Sequence, residues 1–115
     1  MAQNISYGQK TAASEIQIFR TIDISAADFD GTDTASMTTE LNAEGYNRWA
    51  FGFYVCPETA GDLVALSYDD YIKSGKVIND ALAQTIPSLA AGIFHPIRVV
   101  KVYSTSFTDT IAIGQ

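Results

Sequence analysis

The feature that most limits the fold of this chain lies in its last quarter, where two runs of β-branched residues flank a short polar turn. Residues 97–103 are rich in Val and Ile, and residues 111–113 read Ile-Ala-Ile after a stretch of Ser and Thr. β-Branched runs bounded by small polar residues are typical of strands. This segment therefore predicts an all-β domain, and its residues alone indicate no reaction and no ligand.

The order of residues in this segment resembles that of small head-spike base and capsid decoration proteins of tailed bacteriophages and phage-like gene transfer agents. The likeness lies in residues 90–114: an Ala-Gly pair, two bulky residues, a proline two places before an arginine, a Val-rich strand, a Thr/Ser turn and the Ile-Ala-Ile ending. Residues 21–28 resemble the opening strand and Asp-containing turn of the same family. The likeness extends over residues 20–115.

The resemblance implies a structural virion protein that decorates the capsid or forms the base of a head spike or fibre through protein–protein contacts. The expected partners are the major capsid protein, a spike or fibre protein, and further copies of the chain as a homo-oligomer. The expected location is the capsid surface, after synthesis in the cytoplasm of the bacterial host. A tail or neck component remains an alternative, because the sequence does not separate head from tail.

Length and composition predict one folded domain. The chain has 115 residues, of which 47% are hydrophobic, and folding at about this size buries roughly two thirds of the surface of the unfolded chain. We expect a β-sandwich or jelly-roll-like barrel of about six to eight short strands over residues 15–115. Residues 1–14 are expected to form an extended N-terminal arm.

Charge and cysteine content exclude several classes of function. The formal net charge is −6, which disfavours nucleic acid as a partner because phosphate binding relies on Lys and Arg. The N-terminal residues lack the pattern of a signal peptide, and no run approaches the ~20 apolar residues of a membrane span. The single cysteine excludes an intrachain disulfide and favours a reducing compartment. We therefore expect no membrane partner and no export.

The arm has two interpretations. It is a polar segment in which Ile5 and Tyr7 are the apolar residues that stand out. Chain termini of this composition are commonly frayed. The resemblance suggests instead that Ile5 and Tyr7 are assembly contacts that anchor the arm on a neighbouring subunit.

Two segments in the first half of the chain predict strands. Residues 15–24 alternate between apolar and polar residues, which indicates a half-buried strand; Arg20 falls on its apolar face, so we expect a break or bulge there, or a position near the sheet edge. Residues 48–55 place Trp49, Phe51, Phe53 and Val55 on one face, which predicts a central core strand.

Aromatic residues also stack on sugars, so a carbohydrate-binding module using Trp49, Tyr54, Tyr68 or Tyr71 is the alternative function.

The second half of the chain predicts further strands. Residues 63–68 are expected to pair with the preceding strand as a hairpin, because Pro57 and the turn at residues 60–62 separate them. For residues 77–89 we expect a strand and then one or two helical turns ended by Pro87. Residues 97–102 carry valines on both faces, which indicates a strand that is bulged or buried on both sides.

The Asp-rich turn at residues 28–34 is the richest candidate for metal binding. Asp28, Asp30 and Asp33 offer carboxylate oxygens of the kind that Ca²⁺ prefers. Gly31 stands at the fourth place instead of the sixth, and Thr39 occupies the twelfth, where a calcium loop needs a bidentate Glu. We expect a turn that bonds its own backbone and no metal.

Candidates for catalysis are few. Cys56 and His95 are the single cysteine and the single histidine, and both lie beside a proline outside any recognisable nucleophile motif. One residue of each type is too few for an ordinary zinc site. Asp69 and Asp70 are adjacent, so on a strand they would point to opposite faces. We expect no enzyme activity, no catalytic residues and no cofactor.

Overall fold

The computed structural model describes residues 16–33 and 47–115, and the arm with Ile5 and Tyr7 lies outside them. The described residues form seven antiparallel strands in one sheet, which confirms the all-β prediction. The strands are β1 (Phe19–Asp23), β2 (Phe29–Asp30), β3 (Phe53–Pro57), β4 (Gly61–Ser67), β5 (Gln84–Leu89), β6 (His95–Val102) and β7 (Thr110–Gly114). Their order is β1-β7-β3-β6-β4-β5, and β2 pairs with β6 beyond the end of β3.

The sheet curls around an apolar core. Ile24, which directly follows β1, and Leu89 of β5 belong to the same cluster of buried residues, although β1 and β5 stand at opposite ends of the strand order. Trp49, Phe53 and Ile111 lie in this cluster as well. A flat sheet cannot bring its two edges into one core, so the curvature is that of a sandwich or small barrel.

Strand β6 is both bulged and buried on two faces. Val99 and Val102 belong to the core cluster, whereas Val100 of β6 and Leu66 of β4 are fully buried but lie outside it. The pairing register of β6 shifts against both β3 and β4. A short helix, α1 (Tyr68–Lys73), packs against β4 and β6. The sequence predicted either a bulge or burial on both faces for this strand, and β6 has both.

The prediction of one strand over residues 48–55 is wrong. Arg48–Phe51 is a 3₁₀ helix, and β3 begins only at Phe53. The Asn47 side chain accepts a hydrogen bond from Trp49 N at 3.1 Å, and Gly52 ends the turn with φ of 90°. The turn separates the aromatic residues, because Trp49 is 1% exposed and Phe51 is 55% exposed.

The predicted hairpin between β3 and β4 is also wrong. β3 pairs with β7 and β6, and β4 pairs with β6 and β5. The two strands lie on opposite sides of β6, so residues 58–60 cross the end of that strand. A sequence turn shows where the chain changes direction, but it does not determine which strand comes to lie between.

The order of elements in residues 77–89 is the reverse of the prediction. A 3₁₀ helix (Asp80–Leu82) comes first, capped by the Asn79 side chain, and β5 follows and contains Pro87. β5 is the last strand of the sheet. Proline is tolerated at such an edge because a missing N–H costs no ladder hydrogen bond there.

β1 is shorter than predicted and is not broken at Arg20. It pairs with β7 in one uninterrupted register from Phe19 to Asp23. Arg20 lies on this edge strand with its guanidinium 5.5 Å from the centre of the Phe29 ring. The cation stacks on an aromatic face instead of entering the core, which explains how an arginine fits on the apolar side of the strand.

Candidate functional site

The structure does not bring Cys56 and His95 together as a nucleophile pair. His95 pairs with Val55, so the side chains of His95 and Cys56 point to opposite faces of the sheet. His95 Nε2 lies 2.8 Å from the carbonyl oxygen of Ala90. Burial raises the pKa of the Cys56 thiol above its ordinary value. A protonated thiol without a neighbouring base is a poor nucleophile.

The carboxylates of the Asp-rich turn bind the chain's own backbone. Asp30 Oδ1 accepts hydrogen bonds from Thr32 N at 2.8 Å and from Thr32 Oγ1 at 2.6 Å. Asp28 Oδ1 accepts from Ser104 N at 2.7 Å, which ties this turn to the turn after β6. Within residues 16–33 and 47–115, no three metal-ligating side chains of His, Cys, Asp or Glu gather at one place. Thr39 lies outside the described residues.

The adjacent residues Asp69 and Asp70 lie on α1, not on a strand. Asp69 forms an ion pair with Lys73 at 2.8 Å, one turn further along the helix. Asp70 accepts a hydrogen bond from Gln84 Nε2 at 3.2 Å. Each carboxylate has its own partner, so the two do not form an acid and base pair.

A hollow lies on the face of β1, β7 and β3 that points away from the core; we call this surface the outer face. Thr21 stands opposite Ala112, and Ala112 stands opposite Cys56 on the other side. Three small side chains in one row leave a depression of about 440 Å³. Its lining residues are Thr21, Cys56, Pro57, Glu58, Gly92, Thr110, Ile111 and Ala112.

Large apolar side chains surround this hollow. Phe19, two residues before Thr21 on the same face, is 67% exposed, and Ile93 is 54% exposed. Gly92 N donates a hydrogen bond to Pro57 O at 2.9 Å, which fixes the loop that carries Ile93 beside β3. A Cβ placed on Gly114 would lie 2.5 Å from Ile16 Cγ2 and 3.1 Å from Phe94 Cε1, so both side chains lie over this glycine.

A second, smaller cleft lies beside α1. It has a volume of about 160 Å³ and is lined by Ala50, Phe51, Tyr68, Tyr71, Ile72 and Lys76. The ring centres of Tyr68 and Tyr71 are 6.4 Å apart. The Arg98 guanidinium lies 5.1 Å from the centre of the Tyr68 ring and covers one of its faces.

Two of the four residues predicted to stack on sugars, Tyr68 and Tyr71, line this cleft. Trp49 is buried in the core and offers no surface to a ligand. Tyr54 pairs with Gly114 and therefore lies on the outer face. The cleft gains Phe51 instead, a residue that the sequence placed in the core.

Sequence reasoning missed the hollow. Its floor comes from three strands that are distant in the chain, and only the pairing of β7 with both β1 and β3 brings them together. One signal was present: Thr110, Ala112 and Gly114 alternate with Ile111 and Ile113. Small residues at every second position of a strand indicate a face that leaves space.

Comparison with protein-family models, with curated proteins and with solved structures finds no match to this chain. In residues 16–33 and 47–115, no helix has the length and apolar character to cross a membrane. The geometry of the outer face and of the cleft is therefore what bears on function.

Proposed function

We propose that this chain is a structural virion protein of a tailed phage or phage-like particle, which decorates the capsid or forms the base of a head spike or fibre. The observation that supports this role is the exposure of large apolar side chains at two separate surfaces. Phe19 is exposed on the outer face and Ile93 in the loop beside it, and Phe51 and Ile72 are exposed at the cleft. Clustered exposed apolar residues are typical of protein–protein interaction sites.

Two surfaces suit a protein that contacts more than one neighbour. One would bind a further copy or the major capsid protein, and the other a spike or fibre protein. The few charged side chains, 17% of the sequence, leave such contacts dominated by shape and apolar burial. The described residues that were candidates for catalysis are already paired or point apart.

The test is binding of the purified protein to particles assembled without it, with the copy number measured per particle. A fixed copy number on heads supports the proposal, and the number identifies capsomers, vertices or a portal-proximal ring. A fixed number on tails or necks would move the role to those structures. An absence of binding to any particle part overturns the proposal. A double variant, Phe51→Ser with Ile72→Ser, should lower occupancy if the cleft is a contact.

A carbohydrate-binding module is the second candidate, and the cleft is the observation that favours it. Phe51, Tyr68 and Tyr71 present aromatic rings around one small depression, and aromatic faces stack on sugar rings. The test is glycan binding by the isolated protein, with Tyr71→Ala as the variant. Binding that is lost in this variant supports a glycan site, and an absence of glycan binding in the wild type rejects it.

A further inference from the structure

The outer face carries a protruding side chain and a hollow side by side. Phe19 protrudes from β1 and is 67% exposed. The hollow begins at Thr21, two residues further along the same face of the strand, and continues over Ala112 to Cys56. Its volume of about 440 Å³ is more than sufficient for one phenylalanine ring. A surface that carries both a protrusion and a matching depression is complementary to a copy of itself.

The charge distribution favours a second copy as the occupant. The chain has a formal net charge of −6, so most of its surface repels another copy. Two rows cross the outer face, Phe19, Gly114 and Tyr54 and then Thr21, Ala112 and Cys56, and none of these residues is charged. Ile16 and Phe94 lie over Gly114, so the row through Thr21 is the open one. Glu58 lines one end of the hollow, and Asp23 follows Thr21 on the same face of β1. An uncharged phenylalanine from a second copy can therefore enter over Thr21, Ala112 and Cys56 without bringing another carboxylate into the hollow.

The backbone edge of β1 extends the same surface. Ile18 exchanges hydrogen bonds in both directions with Gln115 at the end of β7. In an antiparallel ladder the direction of backbone groups alternates, so the N–H and C=O of Phe19 and Thr21 point away from β7. Among the described strands, β1 pairs with β7 alone. Within the part of the chain that the structure describes, the protruding phenylalanine therefore stands on an edge that a second copy can approach.

We propose that two copies of this chain form a twofold-symmetric dimer in which Phe19 of each copy fills the hollow formed by Thr21, Ala112 and Cys56 of the other. A twofold interface uses the same patch on both subunits, so one protrusion and one hollow per chain give two identical contacts. The dimer is a property of the purified protein, so this proposal does not depend on the proposed role in a phage particle.

The position of the single cysteine in the hollow provides a direct test. Within one chain β1 and β3 are separated by β7, about 10 Å at a spacing of about 4.8 Å per strand. A disulfide requires Cα atoms within about 7 Å, so a disulfide between position 19 and Cys56 must join two chains. Phe19→Cys also removes the phenylalanine anchor, so it is tested at a protein concentration at which sedimentation still detects its dimer, and there it is expected to give a covalent dimer under mild oxidation. Because burial raises the pKa of Cys56, the reaction is run at alkaline pH.

Two controls give this experiment its specificity. Phe19→Cys combined with Cys56→Ser should give no covalent dimer. A disulfide in that variant would have to link the two copies of position 19, which do not meet in the proposed dimer. Phe51→Cys places a thiol on a phenylalanine that is 55% exposed on another surface, and it should not link to Cys56. Absence of a disulfide to Cys56 in the Phe19→Cys protein, or equal linking in the Phe51→Cys protein, overturns the proposal.

Sedimentation equilibrium tests the same interface without a new thiol. The wild type is expected to dimerise reversibly, and Phe19→Ser should raise the dissociation constant at least about tenfold, as for an interface anchor. Ala112→Leu, which fills the hollow, should do the same, with thermal unfolding as a check of its fold. Val77→Ser, at an apolar side chain that is 60% exposed outside both surfaces, should leave dimerisation unchanged. A wild type that is monomeric at every concentration, or a dimer insensitive to Phe19→Ser, overturns the proposal.

Discussion

Tyr103 donates a hydrogen bond from its phenolic hydroxyl to Asp80 Oδ1 at 2.6 Å. Lys101 donates to the same oxygen at 3.1 Å, and its ammonium lies 4.8 Å from the centre of the Tyr103 ring. Asp80 belongs to the 3₁₀ helix before β5, whereas Lys101 lies on β6 and Tyr103 directly follows it. The cluster therefore holds residues 77–83 against the end of β6, although β4 lies between β5 and β6 in the sheet.

This cluster predicts an unusual tyrosine titration. Burial raises the pKa of Tyr103, and the hydrogen bond to Asp80 raises it further because it stabilises the neutral phenol. Asp80→Asn should lower this pKa towards the ordinary value of about 10 without fully restoring it. Titration of tyrosinate absorbance is the measurement. Asp69→Asn, which breaks only the exposed pair with Lys73, is the control and should leave the Tyr103 titration unchanged.

The sign of the linked stability follows from the raised pKa. The folded protein favours the protonated phenol, so this contribution is fully present below the ordinary pKa and is lost as pH rises through the folded-state pKa. The free energy of unfolding of the wild type should therefore fall more steeply at strongly alkaline pH than that of Tyr103→Phe. Parallel curves for the two proteins in that range would contradict the linkage.

Trp49 and Phe51 should respond differently to truncation. Trp49 is 1% exposed and contacts Phe53 edge to face with ring centres 6.1 Å apart, whereas Phe51 is 55% exposed. Trp49→Ala should lower the free energy of unfolding by roughly 3–5 kcal/mol. Phe51→Ala should change it by about 0.5 kcal/mol or less. Urea denaturation measures both, and equal losses would contradict the 3₁₀ turn that separates the two side chains.

Gly52 should tolerate alanine less well than Gly75. Both have positive φ, which costs a residue with a Cβ about 1–2 kcal/mol. A Cβ on Gly52 would also lie 2.4 Å from Arg98 Cγ, whereas a Cβ on Gly75 meets nothing within 4 Å. Thermal unfolding should show a larger loss for Gly52→Ala, and Arg98→Ala should restore part of it. Equal losses for the two alanine variants would show that the Arg98 side chain simply moves aside.

The proposed role of the arm gives a prediction on particles. Deletion of residues 1–13 should leave the domain folded, because the core residues that the structure describes already form one cluster from Ile24 to Ile113. Occupancy on particles should fall, and Ile5→Ser combined with Tyr7→Ser in the full chain should reproduce most of the fall. Copy number per particle and circular dichroism are the measurements. Unchanged occupancy would rule out the arm as an anchor.

Strand content was predictable where periodicity is strong. The runs at residues 97–103 and 111–113 predict strands, which β6 and β7 confirm, and the valines on both faces of β6 predict a strand that is bulged or buried on both sides. Residues 48–55 show where periodicity fails. Their alternation fits a strand, but the Asn47 cap and the positive φ of Gly52 give a 3₁₀ turn. Local hydrogen bonds to the backbone outweighed the alternation, and they sent Phe51 to the surface and Trp49 to the core.

The sequence by itself determined the class of the fold and the outward direction of small residues on β7, because strand period and side-chain size are local properties. It did not determine that β7 lies between β1 and β3, or that β6 separates β3 from β4. Strand pairing depends on how all the apolar faces are buried together, which involves residues far apart in the chain. The hollow formed by Thr21, Ala112 and Cys56, and its position beside Phe19, were therefore decided only by the tertiary structure.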